Sequence, residues 1–220
     1  MFGFDDQIAE LSSGGSILIV LLVAVLLGLR HATDPDHIAA VTTLMASGCD
    51  HARRRAAALG AWWGLGHALT LVVFGVPILL FEAYLPETVQ RGAETAVAAL
   101  IVYLAVRLLV RHRHRHHHGH EVRTPLAAFG IGLVHGMGGS AGVGVLLLAA
   151  IPSTALAVAS LVVLAFFTAV SMTMVTTGLG ATLAARQSAL VAAAPALGLV
   201  SLAFGFWYAA AAWSLVPYPF

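Results

Sequence analysis

The chain has 220 residues, 60% of them hydrophobic and only 10% charged, with a mean hydropathy of +0.91. Soluble domains carry about 25% charged residues, so this balance excludes an ordinary soluble domain and points to an all-α integral membrane protein. A net charge of +1 leaves no basic field for nucleic acid, and the single cysteine, Cys49, excludes an internal disulfide and a dithiol redox pair.

Apolar runs predict six membrane segments, at roughly 16–47, 56–81, 94–110, 125–150, 155–183 and 189–214. The acidic N-terminus (Asp5, Asp6, Glu10) lacks the basic start of a cleaved signal peptide. The first segment is too long for one straight span, because 32 residues at 1.5 Å each reach about 48 Å across a core of about 30 Å. It contains Pro35, which cannot donate to the carbonyl of His31. A break near Pro35 is therefore expected.

That same segment holds "RHATDPDH", which places Arg30, His31, Asp34, Asp36 and His37 inside an apolar run. Ionisable side chains at membrane depth cost about 2.5–3.5 kcal/mol each on insertion scales, so they mark function by default. On a straight helix His31, Asp36 and His37 point in three directions. A break at Asp34–Pro35 would swing them together; otherwise Pro35 only kinks the helix and Asp36 and His37 support other groups. Asp34 lies four residues after Arg30, a spacing that suits an ion pair.

The second segment carries His67 after "WWGLG", and the fourth carries His135 in "GLVHGMGGSAGV". Imidazole and carboxylate together suit divalent nickel, cobalt, zinc or iron, and the missing thiolate argues against copper(I). The candidate metal ligands are His31, His37, Asp36, His67, His135 and Asp34. Ser171 reads as packing, and Thr42, Thr43, Thr173, Thr176 and Thr177 either line a path or bond their own backbone. The interior loop 111–123, with "RHRHRHHHGH", suits loose metal capture, or a basic turn against anionic lipid. Glu82, Glu87 and Glu94 read as a solvated acidic loop.

Loop charges alternate. Arginines at 53–55, at 111, 113, 115, 123 and at 186 fall on one side, which places both termini outside. The two halves, about 16–110 and 124–214, align at one offset of 104 residues: Gly28 and His31 fall on Gly132 and His135, Trp62-Trp63 on Phe166-Phe167, and Tyr103 on Trp207. Three crossings per half make this a 3+3 inverted-topology repeat within a single transmembrane domain, 1–220. Secondary transporters built this way hold their site near the midplane on broken helices. No GxxxxGK[ST] and no H-E-x-x-H occurs, which leaves no signature for nucleotide hydrolysis or for a zinc protease.

"RHATDPDHIAAV" resembles the histidine–four residues–aspartate–histidine signature of the nickel/cobalt transporter (NiCoT) superfamily, with His31, Asp36 and His37 at the matching positions. "GLGHALTLVVFG" resembles its glycine–histidine motif at His67, and "GLVHGMGGSAGVGVLL" a segment of the short, six-span UreH-type branch. Longer members carry more spans and an alanine at the position of Pro35. The resemblance implies a multi-pass cell-membrane permease rather than an enzyme, with Ni²⁺ or Co²⁺ as cargo and no cofactor. It also implies downstream nickel-enzyme maturation proteins as partners. Uptake is expected, with efflux of the same metals as the alternative. A membrane haem protein with paired histidine ligands is the alternative of a different class.

Overall fold

The computed structural model describes residues 4–46, 53–81, 86–113, 124–138, 148–185 and 187–217. These residues form seven long or medium helices and no strand. We number them α1 (Phe4–His31), α2 (Pro35–Ala46), α3 (Arg53–Phe81), α4 (Glu87–Arg113), α5 (Pro125–His135), α6 (Thr154–Ala185) and α7 (Gln187–Ala212).

Four of them, α3, α4, α6 and α7, are long and apolar enough to cross a membrane. The pair α1–α2 is long and apolar enough only when taken together, bent by 42° at its break, as a broken span or a re-entrant loop. The chain is thus a multi-pass membrane protein. Of the expected fourth segment, 125–150, the structure describes the 11-residue helix α5 and then a turn. Such a helix is about 16 Å long, half of a hydrocarbon core. Residues 139–147 lie outside the described residues, as do Cys49, Glu82 and most of the His-rich loop.

The expected break falls where the proline places it. α1 ends at His31, and α2 starts with Pro35 in its first helical position, where the missing N–H costs nothing. Asp34 N donates to the His31 carbonyl (3.1 Å) in place of the proline, and Thr33 N tightens onto the Arg30 carbonyl (2.8 Å). This leaves the Leu29 carbonyl without its own helix partner. Ser171 of α6 fills the gap, with Oγ 2.5 Å from the Leu29 oxygen.

α5 ends the same way. Thr124 caps its start by accepting from Ala127 N, with Pro125 in the first turn. At its end Met137 N bonds the Val134 carbonyl (3.3 Å), so the Leu133 carbonyl is bypassed. Thr70 of α3 donates to that oxygen at 3.0 Å. Backbone at membrane depth has no water to turn to, so each broken helix depends on a hydroxyl from a neighbour.

The packing follows the same pattern. α3 lies along α6, and α4 along α7. α1 packs on α6, and α5 on α3. Glycines set these crossings: a Cβ on Gly28 would meet the Leu164 carbonyl and Phe167, and one on Gly132 would meet the Trp63 carbonyl and His67 N. Outward faces of α1, α3, α6 and α7 expose Leu, Val, Ile and Phe, as lipid-facing surfaces do.

Candidate metal centre

Five of the six sequence-selected residues meet at the break. His31 closes α1, Asp36 and His37 open α2, His67 comes from the middle of α3, and His135 closes α5. All five are buried, with His67 and His135 at 0% exposure. Gly66 and Gly132 allow this meeting: a side chain on Gly66 would strike the Phe129 carbonyl, and one on Gly132 would strike α3 next to His67.

His37 sits in the centre. Its ring centroid is 4.6 Å from that of His31, 5.1 Å from His67 and 4.4 Å from His135. The Nε2 atoms of His31 and His67 face each other at 2.9 Å. Asp36 Oδ1 lies 3.2 Å from His37 Nδ1, and Asp36 Oδ2 lies 3.3 Å from His135 Nε2. The indole of Trp63 stacks on His37 (6.0 Å, 29°) and meets His135 edge-on.

Several polar atoms here make no hydrogen bond. They are His37 Nε2, His67 Nδ1, both ring nitrogens of His135, and Asp36 Oδ2, whose approach to His135 is close but misaligned. Leaving one buried polar atom unpaired costs about 1–3 kcal/mol, and a cluster of them at one point needs a reason. The charge balance supplies one. Asp34 is offset by Arg30 (3.8 Å), whereas Asp36 is surrounded by imidazoles, which in neutral form leave its negative charge uncompensated.

Two ligand groups result: His31, His37 and His67, and Asp36, His37 and His135. Within each group the donor atoms all lie within 4.8 Å of one another. Metal–imidazole bonds of about 2.1 Å hold donors about 3–4 Å apart, so side-chain shifts of about 1 Å close either group on an ion. Asp34 stands outside both. Its Oδ2 is 3.4 Å from His31 Nδ1, the nitrogen that faces away from His67. This is the carboxylate–histidine arrangement that fixes a ligand's tautomer.

The other sequence expectations divide. Ser171 is buried packing that also donates to Leu29. Thr42, Thr43, Thr173 and Thr177 bond carbonyls one turn back in their own helices, while Thr176 Oγ1 is buried without a partner beside Gly60. The solvated acidic loop is corrected in part. Glu87 is exposed and pairs with Arg91, but Glu94 is buried in α4, bonded by Gln90 and covered by Gly138. Helix α4 starts seven residues before the expected segment, and Arg91 near its start lies over the Trp213 ring, 5.7 Å from its centroid. Sequence reasoning missed Trp63 and Thr70; both lie within one helical turn of His67, the only signal they gave.

Residues 17–113, which carry α1 to α4 and four of the five clustered side chains, match a family model described as NicO, high-affinity nickel-transport protein. The urease accessory protein UreH of Bacillus sp. (strain TB-90) is similar: 28% identical over 213 residues, covering 87% of this chain and 91% of that protein. No solved structure matches the chain. The family model thus covers the broken first helix pair and the histidine–aspartate signature, and the likeness to UreH extends over most of the chain.

Proposed function

We propose that this protein is a secondary transporter that carries Ni²⁺ or Co²⁺ into the cell, with His31, Asp36, His37, His67 and His135 as the intramembrane ligands. The observation that carries the proposal is the buried cluster of four imidazoles and one uncompensated carboxylate, with donor atoms left unpaired around one point. A divalent cation offsets the carboxylate and takes up the nitrogen lone pairs. The donor set favours nickel, cobalt or zinc over magnesium or calcium. Asp34 positions His31 in this scheme.

The work is alternating access between two inverted three-span halves, with both termini outside. Supporting this, α1 and α5 end in the same kind of turn 104 residues apart, and each packs on the second segment of the other half, α1 on α6 and α5 on α3. Moving two positive charges inward at 100 mV releases about 4.6 kcal/mol, enough to drive accumulation without a nucleotide. The likeness to UreH, a urease accessory protein, supports nickel as cargo and nickel-enzyme assembly as its destination. The haem alternative is disfavoured because the rings are in mutual contact, with no slot for a porphyrin between them.

The test is uptake of radioactive nickel into right-side-out vesicles, wild type against His31→Ala. Uptake above empty vesicles that is lost in the variant supports the proposal. Equal uptake by both removes the site assignment, and accumulation only in inverted vesicles makes the protein an exporter.

A further inference from the structure

The five ligands do not form one shell. His31, His37 and His67 lie on α1, α2 and α3, all before the His-rich loop; Asp36 and His37 join His135, which comes from α5 after it. The rings of His67 and His135 are 6.1 Å apart, and His37 stands between them, 5.1 Å from one and 4.4 Å from the other. With Nδ1 engaged by Asp36 Oδ1, His37 offers one free lone pair, on Nε2, which has no hydrogen-bond partner. One lone pair serves one ion.

We infer that a single divalent ion occupies two alternative positions on either side of His37, and that His37 hands it from the His31–His67 position to the Asp36–His135 position. This rests on the transport reading above and adds a division of labour within it. The first position is built within one half of the chain and survives any movement of the halves. The second exists only while α5 brings His135 to Asp36 and His37, so an ion held there clasps the halves together. His135 is then a residue of transfer rather than of capture.

The experiment measures nickel binding to purified protein in detergent micelles by equilibrium dialysis, together with cobalt(II) absorption spectra and vesicle uptake. Glutamine keeps the size and polarity of the replaced ring, and variants are compared after confirming a single size-exclusion peak. Wild type binds one nickel per chain. His135→Gln and His67→Gln each weaken binding by about tenfold or less, each abolishes uptake, and their cobalt spectra differ; His37→Gln weakens binding by about a hundredfold or more. The wild-type cobalt spectrum, which needs no variant to fold in order to be recorded, is a weighted sum of two species.

Two results overturn the inference. One is loss of binding in His67→Gln and His135→Gln as complete as in His37→Gln, which means one composite shell. The other is two nickel ions per wild-type chain, which means independent sites. Neither result touches the transport reading, which fails instead if wild-type vesicles take up no more nickel than empty ones.

Discussion

Ser171 of α6 donates its hydroxyl to the carbonyl of Leu29, two residues before α1 stops. The bond joins residues 142 apart in sequence and closes a backbone acceptor that the break at Asp34–Pro35 leaves over. Thr70 does the same for Leu133 at the end of α5. Ser171→Ala and Thr70→Ala each leave a bare carbonyl at membrane depth, at a cost of about 1–3 kcal/mol. Each is expected to lower the thermal midpoint in micelles. An unchanged midpoint in both would mean that the broken ends are satisfied some other way.

Asp36 touches two histidines at once, through Oδ1 to His37 and Oδ2 to His135. Asp36→Asn keeps the shape and removes the charge. It is expected to weaken nickel binding by about 10–100-fold while leaving the protein folded. Isothermal titration with Ni²⁺ measures this, and an affinity equal to wild type would place the ion away from α2.

Gly132 and Gly130 share a helix but not a fate. A methyl on Gly132 would drive into α3 at Trp63 and His67, whereas nothing lies within 4 Å of the corresponding position on Gly130. Gly132→Ala should cost about 1–3 kcal/mol of overpacking and misplace His67 against His135. Gly130→Ala should behave as wild type in melting and uptake. The reverse order would mean that α5 does not lie on α3 as described.

Trp63 covers the centre of the cluster, with its ring 6.0 Å from that of His37. Binding of Ni²⁺, a paramagnetic ion, is expected to quench its fluorescence, and a chelator to restore it. Trp63→Phe removes the quenched component and leaves the emission of Trp62, Trp207 and Trp213. Quenching that persists in Trp63→Phe would locate the ion elsewhere.

Cys49 is the only thiol, and it lies four residues before the Arg53–Arg55 cluster. In the proposed orientation, with both termini outside, that loop would face the cytoplasm. A membrane-impermeant maleimide should therefore label Cys49 in inverted vesicles and not in intact cells. Labelling of intact cells would reverse the topology.

Much of the fold could be read from local chemistry. Pro35 in a run too long to cross straight marked the break, and the structure ends one helix at His31 and starts the next at Pro35. Helices α3, α6 and α7 follow apolar stretches whose ends lie within a few residues of the expected ones. The start of α4 was not legible, because Glu87, Arg91 and Glu94 look like a loop until Arg91 finds Trp213, over a hundred residues away, and Gly138 covers Glu94. The residues of the cluster were readable as residue types in apolar runs. Their partition was not, because the contact of His135 with Asp36 spans 99 residues and depends on how closely Gly132 lets α5 approach α3.

The crossed hydroxyl bonds have a consequence for biogenesis. The piece that ends at Arg113 carries the Leu29 acceptor, but its donor, Ser171, lies in the other piece; the piece that starts at Thr124 carries the Leu133 acceptor, but Thr70 lies in the first. Either piece inserted alone would hold an orphan acceptor against lipid and be a substrate for quality-control proteases. Made from two genes in the same membrane, with the cut in the histidine-rich connection, each would complete the other, and the covalent link between them would prove dispensable.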